Sequence, residues 1–154
     1  MRAKAIYCLS AVLKHSAPAL EEFGKANGWQ ALTMALQDSD ITCRRKAAFL
    51  ADSLFSHAEG DFHDLAKAAR DAGVVDALIS NSGSDMQPFG ADGDQHEDAD
   101  LQEKSIRAAC TLNSRDSSLL SADEKKQLRT LLESGLLDES YAASEREEIL
   151  KQLA

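Results

Sequence analysis

The sequence predicts an all-α protein built from stacked helices. Helix breakers are rare, with 2 Pro and 8 Gly in 154 residues, and Ala and Leu abound while β-branched residues are sparse. Apolar residues also recur at spacings of three and four, and the same stripe returns along the chain. Because 44% of the residues are hydrophobic and 28% are charged, we expect one domain spanning residues 1–154.

The first predicted helix has a stripe of apolar residues on one side, and later segments repeat this stripe. Its apolar positions are Ile6, Leu9, Val12 and Leu13. An offset of 42 residues aligns Lys46 with Lys4, and a further offset of 58 aligns Lys104. A period near 42 residues is typical of helical repeat arrays, in which no single unit buries its own apolar face. We therefore predict repeats at about 2–38, 39–80 and 101–137.

An aromatic column runs through this alignment. Tyr7 and Phe49 occupy equivalent positions within apolar stripes, whereas the third copy has Arg107 there. We expect the two aromatic residues to lie in the core.

Each of the first two copies continues into two further helices, predicted at 18–26 and 28–36 and at 62–72 and 73–79. Pro18 suits a first helical turn, while Asn27 and Gly73 suit left-handed residues between helices. The repeat unit is therefore three helices.

The chain changes character after the second copy. Residues 81–100 carry six acids and no Lys or Arg, which predicts a solvated loop. Capping boxes at Ser121–Glu124 and Ser144–Glu147 then predict C-terminal capping helices, the last of them at 144–154.

Charge and cysteine content limit the possible functions. A net charge of −9 and a pI near 4.8 disfavour nucleic acids and anionic membranes as partners. Three cysteines without CxxC spacing favour a reducing compartment, and no signal peptide or membrane span is recognisable. We expect a cytoplasmic protein.

Catalytic and metal sites are not predicted. His57 and His63 straddle a helix boundary, and the acidic run 92–98 has Glu97 where a calcium loop needs its turn glycine. Cys43 lies beside Arg44 and Arg45, but it is more simply a residue of the helix start. We expect no catalytic residues, no cofactor and no metal.

Several segments resemble a known family. Residues 5–13 (Ala-Ile-Tyr-Cys-Leu-Ser-Ala-Val-Leu) are similar to the second helix of an armadillo repeat, and residues 72–79 look like the opening of its third helix. Further matching positions are Gly28-Trp29, Arg44-Arg45-Lys46 with Phe49-Leu50, Glu103-Lys104, Leu120-Ser121 and Glu124-Lys125. Together, over about residues 2–133, these resemble the armadillo-type nucleotide exchange factors of the seventy-kilodalton heat-shock chaperone.

The resemblance implies an armadillo-repeat, right-handed superhelical solenoid whose concave face binds the chaperone's nucleotide-binding domain and promotes ADP release. Third helices line the concave face of armadillo proteins, so Trp29, Gln30 and Thr33 become candidate contacts. Arg44, Arg45 and Lys46 become candidate anchors for an acidic patch on the partner. Their alternative roles are structural: Trp29 can fill the core, and the basic cluster can pair with Asp38 and Asp40.

Two other functions remain open, a scaffold that binds an extended peptide in its groove and an enzyme with an unrecognised site. Against the family pattern, the chain resembles an N-terminally truncated form, which predicts an exposed apolar end and self-association through Ile6, Leu9 and Leu13.

Overall fold

The computed structural model describes residues 1–58, 61–83, 98–135 and 141–154, and these residues form helices and turns without a strand. The all-α prediction is confirmed. The elements are α1 (Arg2–Leu13), α2 (Ala17–Lys25), α3 (Gly28–Leu36), α4 (Ile41–His57), α5 (Phe62–Asp71), α6 (Val74–Ser82), α7 (Ala99–Arg115), a 3-10 turn (Ser117–Leu119), α8 (Ala122–Glu133) and α9 (Ala143–Gln152).

The helices pack in two rows. In one row α4 lies between α1 and α7, and in the other α6 lies between α3 and α8. The rows also contact each other, since α3 packs on α4 and α6 packs on α7. Side chains buried between the rows form a single core: Leu36, Leu50, Leu54, Phe55, Leu78, Leu101 and Leu112. The three segments headed by Lys4, Lys46 and Lys104 therefore lie side by side, as the repeated stripe requires.

Local sequence explains most helix ends. Asp40, Asp61, Asp98 and Ser121 each accept a hydrogen bond from a backbone N–H in the first turn of the helix that follows. These side chains satisfy N–H groups that have no partner within the helix. The capping box predicted at Ser121 is present, with the Glu124 carboxylate accepting from the Ser121 N–H.

The capping box predicted at Ser144 is wrong. The last helix begins at Ala143 after the N-cap residue Ala142, and no side chain caps it. Ser144 therefore lies inside the first turn, where its side chain cannot occupy the N-cap position.

Two tight connections explain why α3 begins at Gly28, as predicted, and why α6 begins at Val74, one residue after the predicted start. Asn27 and Gly73 are left-handed, with φ of 58° and 86°, a conformation that ends the preceding helix. Gly28 is required for a different reason. A Cβ atom on Gly28 would lie 2.4 Å from the ring of Phe23, so α2 and α3 approach closely only because this position has no side chain.

The predicted loop 81–100 is shorter at both ends. The α6 helix continues to Ser82, and α7 begins at Ala99. Asn81 is buried, and its Nδ2 donates to the Leu36 carbonyl at 2.8 Å, which ties α6 to α3. The middle of the predicted loop, 84–97, and residues 136–137 at the end of the predicted third repeat lie outside the described residues.

Polar side chains reinforce the contacts between helices. Thr33 Oγ1 donates to the Ala72 carbonyl at 2.8 Å. Arg115 donates to the carbonyls of Phe55 at 2.6 Å and Ala58 at 3.0 Å, with its guanidinium carbon 4.0 Å from the centroid of the Phe62 ring. Because the acceptors are otherwise orphaned carbonyls near helix ends, these bonds fix how α4, α5 and α7 meet.

Candidate protein-binding face

The residues expected to form a surface on α3 lie mostly inside the protein. Trp29 is only 6% exposed, and its ring makes an edge-to-face contact with Phe23 at 5.4 Å between centroids. Thr33 is half-buried, with its hydroxyl bonded to Ala72. Gln30 alone of the three is exposed. The expectation that the Trp29 ring is presented on the surface is thus wrong, because this face of α3 packs against α2.

The basic cluster is divided between the interior and the surface. Arg44 is 1% exposed, and its Nε donates to the Asp38 carbonyl at 2.5 Å. Burial lowers the pKa of the Arg44 guanidinium. The structural interpretation therefore fits Arg44, which fastens α4 to the connection after α3. Asp40 plays a different part, since it caps α4.

Arg45 makes a clasp with the start of α7. Its Nε donates to Asp98 Oδ1 at 3.0 Å, its Nη2 donates to Asp98 Oδ2, and Asp100 Oδ2 lies 3.4 Å from Nε. The hydrogen bonds from Arg45 lower the pKa of the Asp98 carboxyl. Asp98 also accepts from the Leu101 N–H at 2.8 Å. One carboxylate therefore both caps α7 and holds it against α4.

Lys46 is the member of the basic cluster whose charge remains available to a binding partner. Its ammonium lies 5.3 Å from the centroid of the Tyr7 ring, and within the described part of the chain it forms no ion pair. A cation held over a ring face keeps most of its hydration and its charge for another partner.

The aromatic column is on the surface and not in the core. Tyr7 is 60% exposed and Phe49 is 45% exposed, and Arg107 continues the column on α7. The expectation that the two rings fill the core is wrong. In each helix the buried stripe passes through the neighbouring positions, such as Ile6 and Leu50, which turns this column outward.

These residues line a continuous groove across α1, α4 and α7. One part, with a volume of about 460 Å³, is lined by Tyr7, Thr42, Arg45, Lys46, Phe49, Asp100 and Lys104. A second part shares Phe49 and Lys104 with the first and is also lined by Asp52, Glu103 and Arg107. The groove thus combines two exposed rings with charges of both signs. We call it the aromatic groove.

Most charges in the aromatic groove are already paired. Lys104 pairs with Asp100, and Arg107 pairs with Glu103 at 3.4 Å and Glu145 at 3.7 Å. Burial raises the pKa of the Asp52 carboxyl, while a hydrogen bond from Thr111 Oγ1 at 2.7 Å opposes that rise. Among the described residues, the groove therefore offers two aromatic rings and the unpaired ammonium of Lys46, and it has no strong net charge of either sign. This composition suits a protein surface better than a highly charged ligand.

The remaining chemical candidates do not assemble into a metal or nucleophilic site within the described residues. No group of three or more His, Cys, Asp or Glu side chains there has metal-binding geometry. His63 pairs with Asp116, while His57 Nδ1 lies 3.0 Å from the Ser53 carbonyl. Of the acidic run, 92–97 lies outside the described residues, and Asp98 caps α7. Burial raises the pKa of the Cys43 thiol, although a hydrogen bond with Arg2 acts to lower it.

No described helix is long and apolar enough to cross a membrane.

Comparison with known proteins gives one informative similarity. A segment of 54 residues is 48% identical to the Hsp70 nucleotide exchange factor FES1 of Mycosarcoma maydis. The segment makes up 35% of this chain and only 14% of the length of that relative. No family model matches the chain, and no solved structure matches it.

Proposed function

We propose that this chain acts as a co-chaperone that binds the nucleotide-binding domain of an Hsp70-type chaperone and promotes ADP release. The observation that carries the proposal is the 48% identity to an Hsp70 nucleotide exchange factor over 54 residues. The aromatic groove supports it, because an exchange factor of this kind needs a protein-binding surface and no reacting groups of its own. We accordingly propose that the chain is not an enzyme.

The proposed architecture is an armadillo-type, right-handed superhelical solenoid, with α1–α3 and α4–α6 as two repeats and α7–α8 as the third. The order of helix contacts supports this, since each row has its members stacked in chain order. The short α9 contacts both α7 and α8, where it would serve as the capping helix. In a solenoid of this kind each repeat contacts its neighbours and a row of equivalent helices forms a binding face.

We propose that the partner binds the row α1, α4 and α7 and not, as the resemblance implies, the row of third helices α3 and α6, because Trp29 on α3 is buried. Tyr7 and Phe49 present apolar ring surface, and Lys46 presents an unpaired ammonium beside them. Aromatic residues with a nearby cation are typical of interface hot spots, where a carboxylate and an apolar side chain of the partner would be bound together. Gln30 on α3 and Arg45 remain proposed contacts at the margin. Arg44 and Trp29 are buried and Thr33 is half-buried. We therefore propose that these three residues hold the row in place and do not contact the partner.

The proposed mechanism is linkage between two binding equilibria. A partner that binds the open form of the nucleotide-binding domain better than the closed form shifts the domain toward the open form. By reciprocity, this partner weakens ADP binding by the same factor by which bound ADP weakens the affinity of the partner for the domain. The chain therefore needs differential affinity for two conformations and no covalent chemistry.

We propose a cytoplasmic location. All three cysteines are free thiols, Cys8 exposed and Cys43 and Cys110 buried. An exposed free thiol is maintained most readily in a reducing compartment.

A scaffold that binds an extended peptide is the competing proposal. The aromatic groove favours it in one respect, because rings on successive helices could each contact one side chain of an extended chain. The two proposals predict different effects of ADP on the affinity of this chain for the chaperone domain. A peptide-binding scaffold would not distinguish the open and closed forms of that domain, so ADP would leave its affinity unchanged.

A titration of the chaperone's nucleotide-binding domain by calorimetry, with and without saturating ADP, separates these cases. An exchange factor binds more weakly when ADP is present, by the factor that relates the two equilibria. Equal affinity in both titrations would favour the scaffold, and no binding in either would reject both assignments to this partner. Bovine serum albumin in place of the chaperone domain controls for nonspecific contact.

A further inference from the structure

The self-association expected through Ile6, Leu9 and Leu13 needs correction in its residues. Ile6 and Leu13 are buried within the chain's own core, so they offer little area to a partner. Leu9 remains exposed, and self-association itself stays a prediction.

A groove of a different kind lies where α2, α3 and α5 meet. Its volume is about 510 Å³, and it is lined by Ala17, Leu20, Glu21, Gly24, Trp29, Asp61, Asp64 and Leu65. It shares no lining residue with the aromatic groove. All three of its charged residues are acidic, whereas the aromatic groove carries charges of both signs. We call it the acidic groove.

The two carboxylates on the α5 side have no cationic partner within the described residues. Asp61 caps α5 by accepting a hydrogen bond from the Asp64 N–H at 3.3 Å, and neither side chain forms an ion pair there. The bases beside them on α5, His63 and Lys67, pair with other acids. The groove therefore keeps negative charge for a cation that comes from outside.

The carboxylate on the α2 side is held only by an exposed contact. Glu21 pairs with Lys25 of its own helix at 2.7 Å, and an exposed pair of this kind contributes little, so it exchanges readily for another cation. Within the described residues no group of three acids has metal-binding geometry. The three carboxylates are thus too far apart to share a metal ion, and the groove suits a larger cation.

The second feature of the acidic groove is an unused hydrogen-bond donor. Trp29 is only 6% exposed, and within the described residues its Nε1 donates no hydrogen bond. A Cβ atom on Gly24, which also lines the groove, would lie 3.5 Å from Nε1, so this edge of the ring faces the groove. A buried indole N–H usually has an acceptor. The ligand that fits the groove therefore supplies an acceptor as well as a cation.

We infer that the acidic groove binds an arginine-containing segment of a protein partner, at a site separate from the surface proposed for the chaperone. A guanidinium presents five N–H donors in a fixed fork, so it reaches carboxylates on both sides of the groove. The aliphatic stem of the arginine covers Leu20 and Leu65. A backbone carbonyl of the same segment accepts from Trp29 Nε1. A polyamine supplies the charge without the acceptor, so the two features together select a peptide.

The chain has one tryptophan, so its indole N–H gives a single resonance that reports on the groove in a proton–nitrogen NMR spectrum. The probe is a capped pentapeptide with a central arginine between alanines, titrated to millimolar concentration. We expect a saturable downfield shift of the indole proton. The same peptide with citrulline keeps the shape and the carbonyls without the charge, and it should bind at least about tenfold more weakly. Propylguanidinium keeps the charge without a carbonyl and should not cause the downfield shift.

Asp64→Asn and Asp76→Asn form a matched pair of variants. Both acids are exposed residues in the first turn of their helices, α5 and α6, but of the two only Asp64 lines the groove. Asp64→Asn should weaken binding of the arginine peptide by about two- to fivefold, the range expected for an exposed ion pair. Asp76→Asn should leave it unchanged.

Any of four results would overturn the inference. An indole resonance that does not move at millimolar peptide shows that the groove is not a peptide site. Equal affinity for the arginine and citrulline peptides, or equal losses in the two variants, shows that the carboxylates do not select a cation. An equal downfield shift with propylguanidinium shows that no backbone carbonyl is bound. Chaperone binding uses a different surface and a different ligand, so failure here leaves the proposed function unaffected.

Discussion

The Lys46 ammonium lies over the ring of Tyr7, 5.3 Å from its centroid, and so joins α1 to α4 at the surface of the aromatic groove. Both side chains reach solvent, and Phe49 lies next to them in the same groove. A cation–ring contact at an exposed site contributes only about 0.5–1 kcal/mol to folding. The pair therefore contributes little to stability, and the role that we propose for it is in binding.

Substitutions in this pair should change binding much more than folding. We expect Lys46→Glu to weaken binding of the chaperone's nucleotide-binding domain by about 1–3 kcal/mol, since it replaces the unpaired cation by a charge of the wrong sign. Lys126→Glu makes the same charge change on the exposed surface of α8 and should leave affinity unchanged. Equal losses for both variants in calorimetric titrations would show that net charge, and not this groove, controls binding.

Loss of the Asp98 carboxylate, which caps α7 and accepts hydrogen bonds from Arg45, should lower the free energy of unfolding. Asp98→Ala removes the N-cap of α7 and leaves Arg45 without its principal acceptor. We expect a loss of about 1–2 kcal/mol in the free energy of unfolding, measured with urea at neutral pH. Asp123→Ala, at an exposed position in the first turn of α8, should cost less than about 0.5 kcal/mol. A loss no larger for Asp98→Ala than for Asp123→Ala would contradict the role of the clasp.

Acid should weaken the same contact. The pKa of Asp98 is lowered in the folded chain, chiefly by the hydrogen bonds from Arg45. Its contribution to stability is therefore present above the unfolded pKa of about 3.8 and is lost as the pH falls through the lower folded value. Unfolding curves of the wild type and Asp98→Ala should converge in this acidic range, and a constant gap between them would contradict the assignment.

Gly28 and Gly24 form a matched pair for testing how α2 meets α3. A Cβ at Gly28 would lie 2.4 Å from the Phe23 ring, whereas a Cβ at Gly24 would lie 3.5 Å from Trp29 Nε1, an ordinary contact. We expect Gly28→Ala to destabilise the chain by about 1–3 kcal/mol through overpacking. Gly24→Ala, within α2, should be neutral or stabilising by up to about 1 kcal/mol. Similar urea midpoints for the two variants would contradict the close approach.

The pair of His63 and Asp116 should make stability depend on pH near neutrality. The hydrogen bond with Asp116 raises the pKa of His63, and the partners of Asp116, Ser118 first, lower its own pKa to about 2. Because the folded pKa of His63 is raised, its contribution is fully present below about pH 6.5 and is lost as the pH rises through the folded value. An NMR titration should show the raised pKa of His63, and Asp116→Asn should remove most of the rise, since Asp61 and Asp64 make the smaller remaining contributions.

Asp71→Asn is a suitable control for that titration, because Asp71 pairs with Lys67. A His63 pKa that does not respond to Asp116→Asn would show that the pair does not form in solution.

The sequence predicted the helices well where local chemistry decides them. The α3 bounds agree with the prediction because Asn27 adopts the left-handed conformation and Gly28 follows it, and both signals lie within two residues. The cap at Ser144 failed because the helix starts at Ala143, two residues earlier than a box headed by Ser144 requires, a choice that the capping pattern alone does not determine.

The site was harder to predict because it depends on which way each column faces. The place of Tyr7 and Phe49 within apolar stripes predicts core positions, whereas Arg107 in the third copy indicates a column in contact with solvent. Arg44 could not be placed, because its burial depends on the Asp38 carbonyl in a connection outside its helix. Likewise, the partner of Arg45 lies 53 residues away in sequence.

Release of a fluorescent ADP analogue from the chaperone's nucleotide-binding domain, followed by stopped flow, tests the central claim most directly. With excess unlabelled ATP as a trap, the account predicts that this chain increases the release rate in proportion to complex formed, and that Lys46→Glu loses most of the increase while Lys126→Glu keeps it. A release rate that stays at its basal value while calorimetry shows the complex to be saturated would contradict exchange activity.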